Sequence, residues 1–141
     1  MGPQKRLDSV LDYAKSFIGV PYRWGGEHPS EGYDCSGFIQ EVLASIGFDP
    51  PGDQTAQTLY QRQKNCSSIL EPEAGAVLFF GKSLMKITHV ALAIDKLHMI
   101  EAGGGTKTTT TLKRAVEQKA FVRIRPIKSR SDLLDCILPF Y

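Results

Sequence analysis

The sequence predicts an α+β domain, with helices first and an antiparallel sheet after them. Two observations carry that prediction. Through about residue 60 the apolar residues recur at the three- and four-residue spacing of helices, and from residue 75 the period changes to short β-type runs. Composition agrees: 42% of the 141 residues are hydrophobic and 23% charged, which suits one packed core and one domain over 1–141.

Each element can be justified in turn. Leu7, Val10, Leu11, Ala14, Phe17 and Ile18 make the apolar stripe of a first helix, which Gly19 and Pro21 stop. Residues 19–34 hold four glycines, two prolines and three aromatics and read as a loop. Large aromatic side chains in such a loop point to a site wall, with Trp24 as a core plug the structural alternative. Asp34 stands at the N-cap of a second helix, whose stripe is Phe38, Ile39, Val42, Leu43 and Ile46 and which Gly47 ends. A polar link from Asp49 to Asp53 leads to a short third helix around Ala56, Leu59 and Tyr60. Strands follow over 76–80, 88–94, 97–102 and 120–127, separated by Gly, Asp-Lys or polar stretches. The tail, with Leu133, Leu134, Ile137, Leu138, Phe140 and Tyr141, is apolar enough to dock back on the body. The four threonines at 108–111 receive no element.

Several function classes fall away at once. Seventeen basic residues against 15 acidic ones leave a formal charge of +2, which gives no ground for nucleic-acid binding. No apolar run approaches the roughly 20 residues of a membrane-spanning helix, so stable membrane insertion is not expected. Lys5 and Arg6 precede no signal-peptide core, and Arg6 occupies the Ser/Thr position of a myristoylation signal; the expected compartment is the cytoplasm, as synthesised. There Cys35, Cys66 and Cys136 are thiols, and their odd number leaves at least one unpaired in any case. With no CxxC or HExxH pattern, no metal is expected. Gly103-Gly104-Gly105 lacks the GK[ST] ending of a phosphate cradle, and no cofactor is expected either.

One constellation carries chemistry. With Asp34 as N-cap, Cys35 takes the first helical position, a setting of unpaired amides and partial positive charge that favours a thiolate. The bland alternative is a buried free cysteine. A nucleophile needs a base, and the base an orienting group. Of His28, His89 and His98, the first cannot be placed, while the other two flank a hairpin turning near Asp95-Lys96. A three-residue turn at 94–96 sets His89 opposite Glu101 on one face, with Cβ atoms roughly 4.5–5.5 Å apart, and His98 on the other. A two-residue turn reverses the choice. Glu101 and His98 therefore compete for one role, and position favours Glu101, because His98 sits beside the turn. Cys, His and an acceptor on helix, strand and next strand follow the logic of a cysteine peptidase.

The segments IGVPYRWGG (18–26), YDCSGFIQEVLASIG (33–47), HVALAID (89–95) and MIEAGG (99–104) resemble the NlpC-type family of bacterial cell-wall cysteine peptidases. The likeness runs in order from about residue 7 to about residue 125. It implies a papain-like α+β core, with Cys35 as nucleophile on a helix packed against the sheet, His89 as base and a third polar residue at Glu101. Family members more often carry His, Asn or Gln at that third place, so Glu101 is a departure. Tyr22, Asp34 and Ser36 match positions that line the pocket and hold the substrate's peptide end. The Cys35 amide, with Tyr22 nearby, matches an oxyanion hole. The implied reaction is hydrolysis of γ-D-glutamyl–diaminopimelate or –lysine bonds in peptidoglycan stem peptides.

The expected protein is thus a thiol hydrolase of cell-wall peptides with catalytic Cys35, His89 and Glu101, and with Tyr22, Trp24, Asp34 and Ser36 toward substrate. Its expected partners are peptidoglycan peptides and a phage-tail or secretion apparatus that delivers it. The alternatives are a catalytically silent assembly part, such as a phage-tail protein, and an amidase or acyltransferase on another substrate.

Overall fold

The computed structural model describes residues 2–28, 32–48, 52–63 and 66–139. Part of the Asp49–Asp53 link, and Phe140 and Tyr141 of the tail, lie outside them. Among the described residues four helices, α1 (Pro3–Lys15), α2 (Cys35–Ala44), α3 (Ala56–Gln63) and α4 (Leu112–Gln118), accompany eight strands. The strands are β1 (Glu27–His28), β2 (Gly32–Tyr33), β3 (Ser67–Ile69), β4 (Val77–Ser83), β5 (Lys86–Ala93), β6 (His98–Gly103), β7 (Phe121–Pro126) and β8 (Leu133–Leu138). β1 and β2 pair within the aromatic loop, and the other six form one antiparallel sheet in the order β3-β8-β4-β5-β6-β7.

The α+β expectation holds, and three elements add to it. The apolar tail enters the sheet as β8, between β3 and β4, with Val77 paired to Ile137 and Leu78 to Cys136. β3 is short and polar and owes its order to pairing with β8. α4 has no apolar stripe: Leu112 and Val116 are exposed and only Ala115 is buried. Its signal is the cap, Thr111, whose side chain accepts the Arg114 N–H at 3.2 Å.

α2 packs on β5 and β6, and α3 on β5. Phe38, Ile39, Val42 and Leu43 are fully buried there against Val90, Leu92, Ile100 and Ala102. The opposite sheet face closes over a smaller cluster of Ala76, Leu78, Phe80, Ala91, Ala93 and Met99. Burial on both faces explains why these strands read as apolar runs rather than strict alternation.

Two irregularities of the sheet position the site. Between β4 and β5 the register passes from Phe80↔His89 to Gly81↔Ile87, so Thr88 is an extra residue beside His89. Ile87 then faces the helix-side core, while the His89 ring lies against Phe80, with centroids 5.6 Å apart. The β5–β6 turn also departs from expectation. Ala93 pairs with Met99, and Ile94 N–H donates to the His98 carbonyl at 3.0 Å, so the three-residue turn is 95–97. Asp95 sets it there: its Oδ1 accepts from the N–H groups of Leu97 (2.8 Å) and His98 (2.7 Å). That one-residue displacement moves Glu101 from directly opposite His89 to a diagonal position, but leaves both on one face.

Candidate active site

Cys35 opens α2, and its geometry comes from Asp34. The Asp34 Oδ1 accepts the Gly37 N–H at 2.7 Å and the Ser36 hydroxyl at 3.3 Å. Its Oδ2 accepts the Gly25 N–H at 3.2 Å, which ties the aromatic loop to the helix start. Burial pushes the Asp34 carboxyl up, against the pull of these donors. On the helix's other side, Gln40 donates to the Gly52 carbonyl at 2.8 Å and accepts the Gln54 N–H at 2.9 Å, which pins the segment after α2 beside the site.

Cys35 and His89 line the same cleft, and the thiol is one of the two groups that raise the His89 pKa. His89 Nε2 lies 2.9 Å from Glu101 Oε1, which leaves Nδ1 for the sulfur. His89 is only 7% exposed, and burial alone acts to discharge it. Cys35 and Glu101 outweigh burial and raise its pKa to about 9. Glu101 is 1% exposed; burial acts to raise its pKa, yet His89 and Arg123 hold it down at about 2. Arg123 faces Glu101 across β6–β7 and donates through Nε to Oε2 at 3.1 Å, while Arg125 Nη1 lies 3.6 Å from the same oxygen. The extra negative charge that Glu101 brings is therefore matched by guanidiniums.

His98 takes no part in this network. Its Nδ1 lies 3.1 Å from Asp95 Oδ1 at the exposed turn. His28 is in β1, opposite Gly32. Cys136 is buried in the second cluster, where burial, with Asp135 beside it, raises its pKa to about 11.

The three glycines set aside as a phosphate cradle form the floor of the site. A Cβ on Gly103 would sit 2.3 Å from Glu101 Oε2, so the carboxylate reaches diagonally to His89 over a residue with no side chain. A Cβ on Gly105 would sit 2.0 Å from the Tyr22 ring, which lies flat on that backbone. Burial, then the neighbouring Cys35 and Asp34, push the Tyr22 phenol up and keep it a protonated donor. The threonine patch anchors the same loop from behind: the Trp24 N–H donates to the carbonyl of buried Thr109 at 2.7 Å, and the Thr109 hydroxyl donates to Gln118. Neither role has a periodic signal in the sequence. The run Glu-Ala-Gly-Gly-Gly directly after a strand was the only cue.

Two clefts of about 400 and 440 Å³ meet at Cys35, sharing Tyr22, Trp24 and Thr88 as walls. One adds His89, Glu101, Arg123, Arg125 and Arg130; the other adds Asp34, Ser36, Asp53, Gln54 and Thr55. Trp24, 48% exposed, stands at the rim of both rather than in the core. Among the described residues no cluster of His, Cys, Asp and Glu has a metal-binding arrangement. A thiol at a helix start, an imidazole in the same cleft and a carboxylate orienting the imidazole form a set suited to acyl transfer.

Comparison with known proteins identifies the family. Residues 19–126 match the model of the NlpC/P60 family. The chain is 32% identical over 129 residues to a bifunctional muramidase/DL-endopeptidase, CwlT, of Bacillus subtilis, covering 90% of this chain and 38% of that relative's length. Among solved structures, the NlpC/p60 domain of the peptidoglycan hydrolase SagA superposes with a TM-score of 0.71 at 24% identity, covering 94% of this chain and 98% of that one. RipD of Mycobacterium tuberculosis, described as a non-catalytic NlpC/p60 domain protein, superposes with a TM-score of 0.70 at 22% identity, covering 96% and 98%.

Proposed function

The chain belongs to the NlpC/P60 family, and from that premise we propose that it is a cysteine peptidase hydrolysing γ-D-glutamyl–diaminopimelate or –lysine bonds of peptidoglycan stem peptides. The observation that carries the reading is the 2.9 Å bond from His89 Nε2 to Glu101 Oε1 beside Cys35 at the head of α2, with all three residues lining one cleft. Fold alone does not, because a non-catalytic domain shares it.

In this reading the proton of Cys35 already resides on His89 as imidazolium, and the Sγ thiolate attacks the scissile carbonyl carbon. The carbonyl π electrons move to oxygen, where the Cys35 N–H, at the helix start, and the Tyr22 hydroxyl stabilise the oxyanion. Imidazolium protonates the departing amine as the C–N bond breaks, leaving a thioester on Cys35. A water, deprotonated by His89, attacks the thioester; its carbonyl re-forms, the C–S bond breaks and the acid leaves. Glu101 holds the ring and stabilises its charged form throughout. Asp34 and Ser36, in the cleft away from His89, hold the acyl side.

Purified diaminopimelate- and lysine-type murein, digested and resolved by mass spectrometry, tests the proposal. New fragments beginning at diaminopimelate or lysine are expected from the wild type and none from Cys35→Ala. Unchanged cleavage by Cys35→Ala overturns it, and a wild type that releases nothing favours the silent assembly part.

A further inference from the structure

The two clefts that meet at Cys35 carry opposite charge. Among the described residues, one presents the carboxylates of Asp34 and Asp53 and no Lys or Arg; the other presents three guanidiniums against the single carboxylate of Glu101. His89 lines only the second. Because His89 must protonate the departing amine, the leaving group occupies the cationic cleft and the acyl group the acidic one. This orientation rests on the peptidase reading above.

The three guanidiniums are not equivalent. Arg123 is committed to Glu101 through Nε at 3.1 Å and to the Lys119 carbonyl at 3.4 Å. Arg130 forms a fork with Asp132, at 3.0 and 2.8 Å, and stacks 5.1 Å from the Phe80 ring centre. Arg125 lies 3.6 Å from Glu101 Oε2, beyond hydrogen-bond length, and is about one-third exposed. Its donors face a cleft whose one carboxylate is already bonded by His89 and Arg123. A planar guanidinium fork held only by a 3.6 Å ion pair, in a cationic cleft, is matched chemically by a carboxylate.

We propose that this cleft binds a carboxylate carried by the leaving amino acid, with Arg125 as the residue that pairs with it. Two groups offer that chemistry: the free α-carboxylate of a leaving residue at the peptide's end, and a second carboxylate on its side chain, as in diaminopimelate. Arg123 is a positioning residue for Glu101, and Arg125 is the specificity determinant.

Binding to the Cys35→Ala protein tests this without turnover, read from the fluorescence of its single tryptophan, Trp24 at the rim. Three probes share a γ-D-glutamyl acyl part: one ends in lysine with a free α-carboxylate, one in lysine amide, and one in diaminopimelate amidated only at its α-carboxyl. A carboxylate-bearing probe is expected to bind about tenfold or more tightly than lysine amide, consistent with a charge-assisted pair. Adding Arg125→Gln should erase that gap while leaving the Kd of the lysine amide unchanged. The arm that gains affinity identifies the carboxylate. Equal affinities, no binding of any probe, or a gap that survives Arg125→Gln overturns the proposal. Murein digestion by the wild type decides independently whether the peptidase reading stands.

Discussion

Glu101 Oε1 meets His89 Nε2 at 2.9 Å along a strand diagonal, reaching over Gly103. Directly opposite residues need no such lean; the turn at 95–97 creates the need, and a missing side chain at 103 accommodates it. Gly103→Ala should therefore leave the fold intact but displace the carboxylate, because its Cβ would fall 2.3 Å from Oε2. General-base catalysis contributes on the order of 10²–10⁴ in rate, and losing the ring's orientation should forfeit about tenfold or more of it. Circular dichroism and kcat on a stem peptide check both halves of the prediction.

Charge on Glu101 should set the alkaline limit of activity. The His89 pKa is raised to about 9, so imidazolium, the acid of the proposed mechanism, persists through neutral pH. The rate should fall as pH rises through about 9. Glu101→Gln removes the countercharge, and the limit should move down toward the ordinary histidine value of 6.5, with kcat reduced roughly 10- to 100-fold. A pH–rate profile and histidine NMR titration measure the two shifts.

Stability should respond at both ends of the pH scale. Glu101 is depressed from 4.5 to about 2, so its contribution is complete above 4.5 and disappears as pH falls through about 2. The pKa of His89 is raised instead, so its contribution is complete below 6.5 and is lost as pH rises through about 9. Thermal unfolding across pH 2–10 should show both declines, and Glu101→Gln should shrink the acid one, leaving the part due to Asp132 and Asp95.

Arg123→Ala should leave the buried Glu101 carboxylate with a weaker partner in Arg125. The pair is partly open to solvent on the arginine side, so about 1–2 kcal/mol of stability is expected to be lost. A positioning role further predicts a lower kcat with little change in KM, a lower His89 pKa and partial rescue by Arg123→Lys.

Asp34→Ala removes a cap that also ties Gly25 to the helix, costing about 1–2 kcal/mol. Asn caps nearly as well, so Asp34→Asn should hold Tm close to wild type. If its carboxylate also pairs with a cationic group of the acyl part, KM should rise in Asp34→Asn at unchanged Tm. An unchanged KM confines Asp34 to the cap.

The sequence made legible what depends on local pattern. Asp34 before an apolar helical stripe placed Cys35 at a helix start, and strand parity put His89 and Glu101 on one face even though the turn sits one residue later. A register shift of two residues preserves the face, which is why that inference survived. Other features depend on distant partners. Arg123 finds Glu101 only through the β6–β7 register, with α4 intervening, and β8 becomes a strand only between β3 and β4. The glycine floor and the Thr109 anchor have no period; their meaning lies in what approaches them.

The central claim is that Cys35 carries the acyl group. Intact-protein and peptide mass spectrometry of samples acid-quenched during turnover of a γ-D-glutamyl peptide tests it most directly. A transient adduct with the mass of the acyl part is expected on the peptide containing Cys35, absent from Cys35→Ala along with product. Product release by Cys35→Ala, or an adduct confined to Cys66 or Cys136, contradicts it.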